Sequence, residues 1–398
     1  MTNAITVTDL SLNIGGAPIL SGVNLALRAG KVTALIGRSG SGKSMTALAM
    51  MGLAPRSAQL EGEIIIDGDN DILAMNEKTL CGLRGSAIGM IFQEPMTALN
   101  PLQPIGAQVA ETFIIHQKIS RAEALEKAKA TLARVGLPEE SIPSSRYPHE
   151  LSGGQRQRVV IAIAIALKPK ILIADEPTTA LDVTTQAEIL SLLKGLARED
   201  GSALLLITHD LAAVSNIADH ILIMKGGRIV ADKPADAFYA DAANDSVKEF
   251  VPARIMRPEK PYKATDAAII AESVSCDYNT PRQSFFHKPR KIRAVESAAF
   301  AIAQGENLGL VGESGCGKST LAKALLGLHA IADGAISIGG EAFPAPQKST
   351  MRRLRQKIQI VFQDPFSSFN PRKRVAEIVS EPLHLFDTPL SKADKYAH

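Results

Sequence analysis

Two stretches of this 398-residue chain have the residue types and spacing to grip a row of phosphates. The first reads Gly37-Arg38-Ser39-Gly40-Ser41-Gly42-Lys43-Ser44. The second reads Gly312-Glu313-Ser314-Gly315-Cys316-Gly317-Lys318-Ser319, with Thr320 directly after it. Both match G-x-x-x-x-G-K-[ST]. In that pattern glycines let backbone N–H groups cradle phosphate oxygens, the lysine reaches the terminal phosphates, and the hydroxyl is a ligand for Mg²⁺. Downstream of the first loop, the apolar run 171–174 ends in Asp175 and Glu176. Two acids after a strand are often just a solvated turn. In the same domain as a phosphate loop they read as chemistry, with Asp175 holding Mg²⁺ and Glu176 polarising an attacking water. Leu151-Ser152-Gly153-Gly154-Gln155 is the most specific motif. Ser152 can cap the helix that follows, and the two glycines let its positive end approach a phosphate.

Positioning these groups takes a particular alternation of elements. Apolar strand candidates at Val32–Ile36, 171–174, 203–207 and 221–224 are separated by helical stretches, which implies a mostly parallel sheet covered by helices. The run 308–311 before the second loop reads as the matching buried strand. Residues 121–135 (RAEALEKAKATLARV) read as a helix, part of a small helical subdomain between Gln93 and Leu151.

Composition narrows the classes. The chain is 45% hydrophobic and 21% charged, as expected for a soluble globular protein. A net charge of +3 is close to neutral for this size, so nothing in it argues for a nucleic-acid surface. The densest basic run, His287-Lys288-Pro289-Arg290-Lys291-Ile292-Arg293, reads as a solvated loop. Cys81, Cys276 and Cys316 are too few and scattered for a disulfide framework or a zinc site, which fits a reducing cytosol. Cys316 reads as a small filler within its loop. The longest apolar stretch, 159–167, is about half of the roughly 20 residues that a membrane span requires. No signal peptide is visible, so membrane association is expected to come through a partner.

The chain repeats itself. Lys318 follows Lys43 by 275 residues, and Ile360-Val361-Phe362-Gln363-Asp364-Pro365 follows Met90-Ile91-Phe92-Gln93-Glu94-Pro95 by 270. The expected organisation is a complete domain over 1–251, a Pro-rich linker over 252–266 and the N-terminal half of a second domain over 267–398. About 15 linker residues reach roughly 50 Å, enough for one domain to face the other.

On these residues the first copy resembles the nucleotide-binding domain of an ABC ATPase, an α/β P-loop NTPase with a helical subdomain, here followed by a partial second copy. The resemblance implies ATP and Mg²⁺ as cofactors and gives Gln93 the Q-loop position. It makes 151–155 the signature, Asp175 and Glu176 the Walker B acids, Ala180-Leu181-Asp182 the D-loop and His209 the switch histidine. A lone histidine after a strand is usually structural, but His209 falls where the family places its γ-phosphate contact. Ser44, Asp175 and Gln93 are then the Mg²⁺ group, and Glu176, His209 and Gln93 the catalytic one. The segments 92–101 and 362–372, with Tyr147-Pro148-His149-Glu150, resemble the oligopeptide, dipeptide and nickel importers. Two fused domains resemble the peptide-importer ATPases that also take up antibiotics such as microcin C. There are departures. Ile14 stands where an aromatic residue usually stacks on adenine, with Tyr278 the candidate in the second copy, and the usual His-Pro-Tyr-Thr has no counterpart in 240–249.

The family places each ATP between the phosphate loop of one domain and the signature of the other. Lys43, Ser44, Gln93, Asp175, Glu176 and His209 make one half-site, whereas Lys318, Ser319 and Gln363 lack acids and a switch histidine. With the 270-residue offset those parts fall near positions 422, 445 and 479, beyond His398. The missing Walker B strand is expected beside the phosphate-loop strand in the sheet. The leading expectation is a transport ATPase at the cytoplasmic face of the cell membrane, serving two permease subunits and a solute-binding protein, with no nucleic acid. Pairing with another ABC domain is a further possibility. The competing readings are a non-hydrolysing remnant and a soluble ABC ATPase of translation or DNA repair. The permease is expected to dock near Met96, Thr97 and Leu99.

Overall fold

The computed structural model describes residues 3–68, 70–93, 98–179, 181–240, 267–279, 291–312, 315–344, 348–362 and 369–385. It divides into two compact units, Met1–Met256 and Arg257–His398. The expected linker 252–266 lies outside the described residues.

In the first unit β1 (Asn3–Ile14), β2 (Ala17–Arg28), β3 (Val32–Ile36), α1 (Lys43–Met50), β4 (Ala58–Ile66), β5 (Asn70–Asp71), α2 (Glu77–Leu83) and β6 (Ile88–Ile91) come first. Then follow α3 (Ile105–Gln117), α4 (Arg121–Arg134), α5 (Gly153–Ile165), β7 (Ile171–Asp175), α6 (Val183–Asp200), β8 (Ala203–Thr208), α7 (Leu211–Val214), β9 (His220–Lys225), β10 (Arg228–Pro234) and α8 (Ala235–Ala240). The central sheet has the order β10-β9-β3-β8-β7-β6, and only the β10–β9 pair is antiparallel. Its strands are continuous apolar runs because both faces are covered. Alternate residues feed two cores: Ala34, Ile36, Leu172 and Ala174 enter one, while Leu35, Ile171 and Ile173 enter the other. One expectation needs correction here. The strand bearing Asp175 is not a neighbour of β3, because β8 intervenes.

Helix α4 begins where Ser120 accepts a hydrogen bond from the Glu123 N–H (3.2 Å) and ends before Gly136, in the left-handed region at φ 79°. Ala124, Ala128 and Leu132 recur at helical spacing and are buried with Val109 and Phe113 of α3 in the first core.

An antiparallel sheet, β2-β1-β4-β5, stands beside the parallel one. Strand β1 bulges between Thr8 and Ser11, with Asp9 at φ 48°. Gly62 (φ 104°) closes against the bulge, and a Cβ there would sit 2.6 Å from the Thr8 carbonyl oxygen. Gly62→Ala is therefore expected to destabilise the first unit by about 2–4 kcal/mol through backbone strain and overpacking. Urea unfolding of residues 1–256 checks this, and an unchanged midpoint would show that the bulge yields freely.

The second unit repeats the device. Its strands β11 (Ala267–Asn279) and β12 (Lys291–Ala303) precede α9 (Lys318–Leu325), β13 (Asp333–Ile338), β14 (Glu341–Phe343), α10 (Lys348–Lys357) and α11 (Val375–Val379). Its sheet has the order β12-β11-β13-β14. Ser273 sits at φ 48° and Gly334 at φ 91°, 2.4 Å from the Ser273 carbonyl oxygen at its would-be Cβ. The buried strand expected over 308–311 does not form: these residues are irregular, with Leu308, Leu310 and Val311 47%, 54% and 93% exposed. Their counterparts in the first copy are buried because β8 and β9 flank them. Among the described residues no strand pairs with this run.

Candidate nucleotide site

The first phosphate loop leaves β3 at Gly37, which has no room for a side chain: a Cβ would lie 2.4 Å from the Met224 carbonyl oxygen. Gly40 and Gly42 take φ values of 79° and 106°, so the loop can wrap only with glycine there. The turn after β9 buttresses it, with the Gly227 N–H donating to the Ser41 carbonyl (3.0 Å). That support comes from a hairpin about 180 residues away in sequence, and no local signal announces it.

Lys43 opens α1 and is 5% exposed. Its Nζ donates to the carbonyls of Gly37 (2.8 Å) and Arg38 (3.0 Å). Burial holds the ammonium pKa below its usual value, and the charges of Glu176 and Asp175 work against that shift. Asp175 ends β7, also 5% exposed, within hydrogen-bonding reach of the Ser44 hydroxyl. Burial raises its pKa, Ser44 lowers it, Glu176 adds to the rise and Lys43 opposes it. Its Oδ1 is buried without a hydrogen-bond partner among the described residues, as is the Ser41 Oγ. A buried carboxylate with a free oxygen beside a hydroxyl is an oxygen donor set that fits Mg²⁺, and the glycine-lined loop with its free hydroxyl fits phosphate.

Glu176 follows at φ 47°, a conformation that non-glycine residues seldom adopt. Its N–H donates to the Ile207 carbonyl (2.9 Å), tying it to β8. Its carboxylate gathers three partners: Gln93 Nε2 donates to Oε2 (3.1 Å), Thr179 Oγ1 donates to Oε2 (3.1 Å), and His209 Nδ1 lies 3.3 Å from Oε1. The fold thus brings Lys43, Ser44, Gln93, Asp175, Glu176 and His209 into one constellation at the C-terminal ends of the parallel strands. Gln93, expected in both the Mg²⁺ and the catalytic group, meets Glu176 directly. Thr179 escaped the sequence reading entirely, and only its place three residues after Glu176 could have suggested it.

The signature lies at the start of α5. The Ser152 Oγ accepts from the Gln155 N–H (3.3 Å), and the Gln155 Oε1 accepts from the Ser152 N–H (3.0 Å). These bonds close on each other and not on Lys43, Asp175 or Glu176. Gly154 has no room for a side chain, since a Cβ would meet Thr185 Cγ2 of α6 at 2.7 Å, while Gly153 faces Leu181 at 3.6 Å. Ser152 and Gly153 are exposed.

In the second unit Lys318 Nζ donates to the Gly312 carbonyl at 2.8 Å, repeating the Lys43 contact. Gly315 and Gly317 hold φ 83° and 99°. Cys316 packs its sulfur 2.7 Å from the would-be Cβ of Gly312, as Ser41 does at Gly37, yet its thiol is exposed. The Tyr278 ring lies against His329 in a tilted contact (centroids 4.5 Å, 40° between planes), and its hydroxyl is 3.3 Å from Thr320 Oγ1. Ser319 is exposed. Glu313, Ser314 and Gln363 lie outside the described residues, as do Ala180, Met96 and Thr97. Leu99 is 4% exposed and belongs to the core, so it offers no docking surface, whereas Phe92 and Leu102 are 44% and 84% exposed.

The ABC transporter family matches residues 20–179 and 295–397. The peptidoglycan transport ATP-binding protein YejF of Agrobacterium fabrum is 40% identical over 399 residues, covering 98% of this chain and 72% of that protein. The glutathione import ATP-binding protein GsiA of Salmonella choleraesuis is 38% identical over 91% of this chain; the chain spans 64% of its length. Among solved structures, the ATP-binding cassette MJ0796, dimeric and bound to ADP and Pi, aligns with TM-score 0.51 and 31% identity over 58% of this chain and 98% of its own. The cbiO1 protein of Clostridium perfringens aligns with TM-score 0.53 and 28% identity over 64% of this chain and 96% of its own. The chain therefore belongs to the ABC transporter family, as an ATP-binding protein of the P-loop ATPase fold in which the family's domain occurs twice.

Proposed function

We propose that this chain is the ATP-hydrolysing subunit of an importer for peptides or a related small solute. The observation that supports it is the constellation around Glu176, joined to a buried phosphate-loop lysine and a buried Asp175 with a free oxygen. Names of relatives point the same way, since they concern peptidoglycan transport and glutathione import. In this reading Lys43 and the loop N–H groups hold the terminal phosphates, and Ser44, Asp175 and Gln93 hold Mg²⁺. The ion, when bound, neutralises charge on the phosphates. Glu176 orients the attacking water and takes its proton, and His209 faces the γ-phosphoryl group. The exposed signature around Ser152 serves a nucleotide on an opposing domain, while Lys318 and its loop hold a second nucleotide.

None of the described helices is long and apolar enough to cross a membrane. In this reading the chain works peripherally, on the cytoplasmic face, through two permease subunits and a solute-binding protein. A second reading is binding of ATP without turnover. Phosphate release measured with and without the permease separates the two.

Lys43→Ala tests the site itself. Losing the charge-assisted contacts should weaken Mg-ATP binding to residues 1–256 at least tenfold, for contacts worth about 1.5–3 kcal/mol. Calorimetric titration reads this, and unchanged affinity would refute the assignment of the loop.

A further inference from the structure

We propose that Thr179 is a positioning residue: its hydroxyl fixes the Glu176 carboxylate so that Oε2 is the anchored oxygen and Oε1 the working one. This rests on the reading of Glu176 as the group that takes the proton from water. Both N–H and O–H donors to the carboxylate, from Gln93 and Thr179, converge on Oε2 at 3.1 Å each. Oε1 faces only the His209 ring, at 3.3 Å, among the described residues.

The three partners differ in how the chain holds them. Gln93 sits on the loop after β6 and His209 on the loop after β8, where its side chain is 62% exposed. Thr179 sits on the same turn as Glu176. Its N–H donates to the Glu176 carbonyl (3.2 Å), and the next turn is closed by Leu181 N–H to the Thr178 carbonyl (3.2 Å). Asp182 then caps α6 through the Thr185 N–H (3.0 Å). The hydroxyl is therefore set by a short run of backbone bonds anchored in a helix of 18 residues. A glutamate has three side-chain torsions to restrict, and a donor carried on its own turn restricts them whatever the other two loops do. The same turn leads into α6, whose Thr185 abuts Gly154 of the signature helix. Thr179 thus ties the reactive carboxylate to the segment that contacts the signature.

Thr179 is exposed, so an isosteric Thr179→Val leaves the core intact. In the full chain this variant should hydrolyse ATP about ten- to a hundredfold more slowly, the usual effect of losing a hydrogen bond to a charged group. KM and ATP affinity should stay within about twofold, because ground-state binding does not use this contact. Thr179→Ser, which keeps the hydroxyl, should recover most of the rate. A crystal structure of nucleotide-free Thr179→Val should show the Glu176 carboxylate spread over several rotamers, and Thr179→Ser should show it held. The proposal is overturned if Thr179→Val keeps the parent rate, if its Glu176 carboxylate stays ordered, or if rate and affinity fall together. Glu176→Gln measured alongside separates the layers. A normal rate in Glu176→Gln would remove the underlying reading, whereas a slow Glu176→Gln beside a normal Thr179→Val removes Thr179 alone.

Discussion

Glu176→Gln should lower the rate of ATP hydrolysis roughly 10²–10⁴-fold, the range a positioned general base contributes, while ATP remains bound. The amide keeps the shape of the carboxylate, and its oxygen can still accept from Gln93 Nε2 and Thr179 Oγ1, the two donors now on Oε2. It cannot accept a proton from water at neutral pH. Asp175, which is buried against Ser44, is untouched, so the oxygen donors for Mg²⁺ persist. Lys43 loses one of the two negative charges that support its ammonium, but the Gly37 and Arg38 carbonyls still hold it. The result should be a protein that binds ATP and stalls. If first units pair with one another, the stalled form should accumulate as a dimer on gel filtration with ATP. Turnover at the parent rate would remove Glu176 from the mechanism.

The second large effect concerns folding. Residues 257–398 produced alone should lack a cooperative unfolding transition and should bind a hydrophobic dye, whereas residues 1–256 should unfold cooperatively. The described core of the second unit is small, centred on Val274, Cys276, Leu321, Ile336, Phe343 and Leu354. Against it stand large apolar side chains in water: Val311 is 93% exposed, Val361 97%, Val375 76% and Val379 72%. Each such side chain left exposed forfeits about 1.5–3 kcal/mol, and a whole domain is stable by only about 5–15 kcal/mol. Four of them forfeit about 6–12 kcal/mol, comparable to the whole stability of a domain. The comparison inside the chain sharpens this, because the first-copy counterparts of Val311 and Val361, Ile36 and Ile91, are fully buried. A single sharp urea transition without dye binding would show that this unit stabilises itself by other means.

Some of this was legible in local sequence for physical reasons. A phosphate loop is a run of consecutive residues whose glycines set the backbone and whose lysine sets the charge, so Gly40, Gly42 and Lys43 announce it without their neighbours. The strands at Val32–Ile36 and Ala203–Thr208 were readable because burial on both faces demands an unbroken apolar run. Helix α4 was readable from the stretch 121–135, while its Ser120 cap emerged only in the structure. The repeat was readable because both copies keep the same residues in the same order.

Other features were decided only by the assembled structure, because they depend on pairings between distant segments. The run 308–311 has the composition of a buried strand, yet a strand exists only when neighbours supply its hydrogen bonds, and none of the described strands does so. The order of strands, with β8 between β3 and β7, follows from how the crossover helices pack and from nothing written at Asp175. Gly62 is a glycine because β1 bulges toward it, fifty residues away in sequence. The three partners of Glu176 come from loops after β6 and β8 and from its own turn. By itself the sequence determined which residues could hold a nucleotide and that the chain carries the phosphate loop twice. Only the tertiary structure decided which oxygen of Glu176 is anchored and which copy has its phosphate loop on a formed sheet, since both depend on hydrogen bonds closed across the fold.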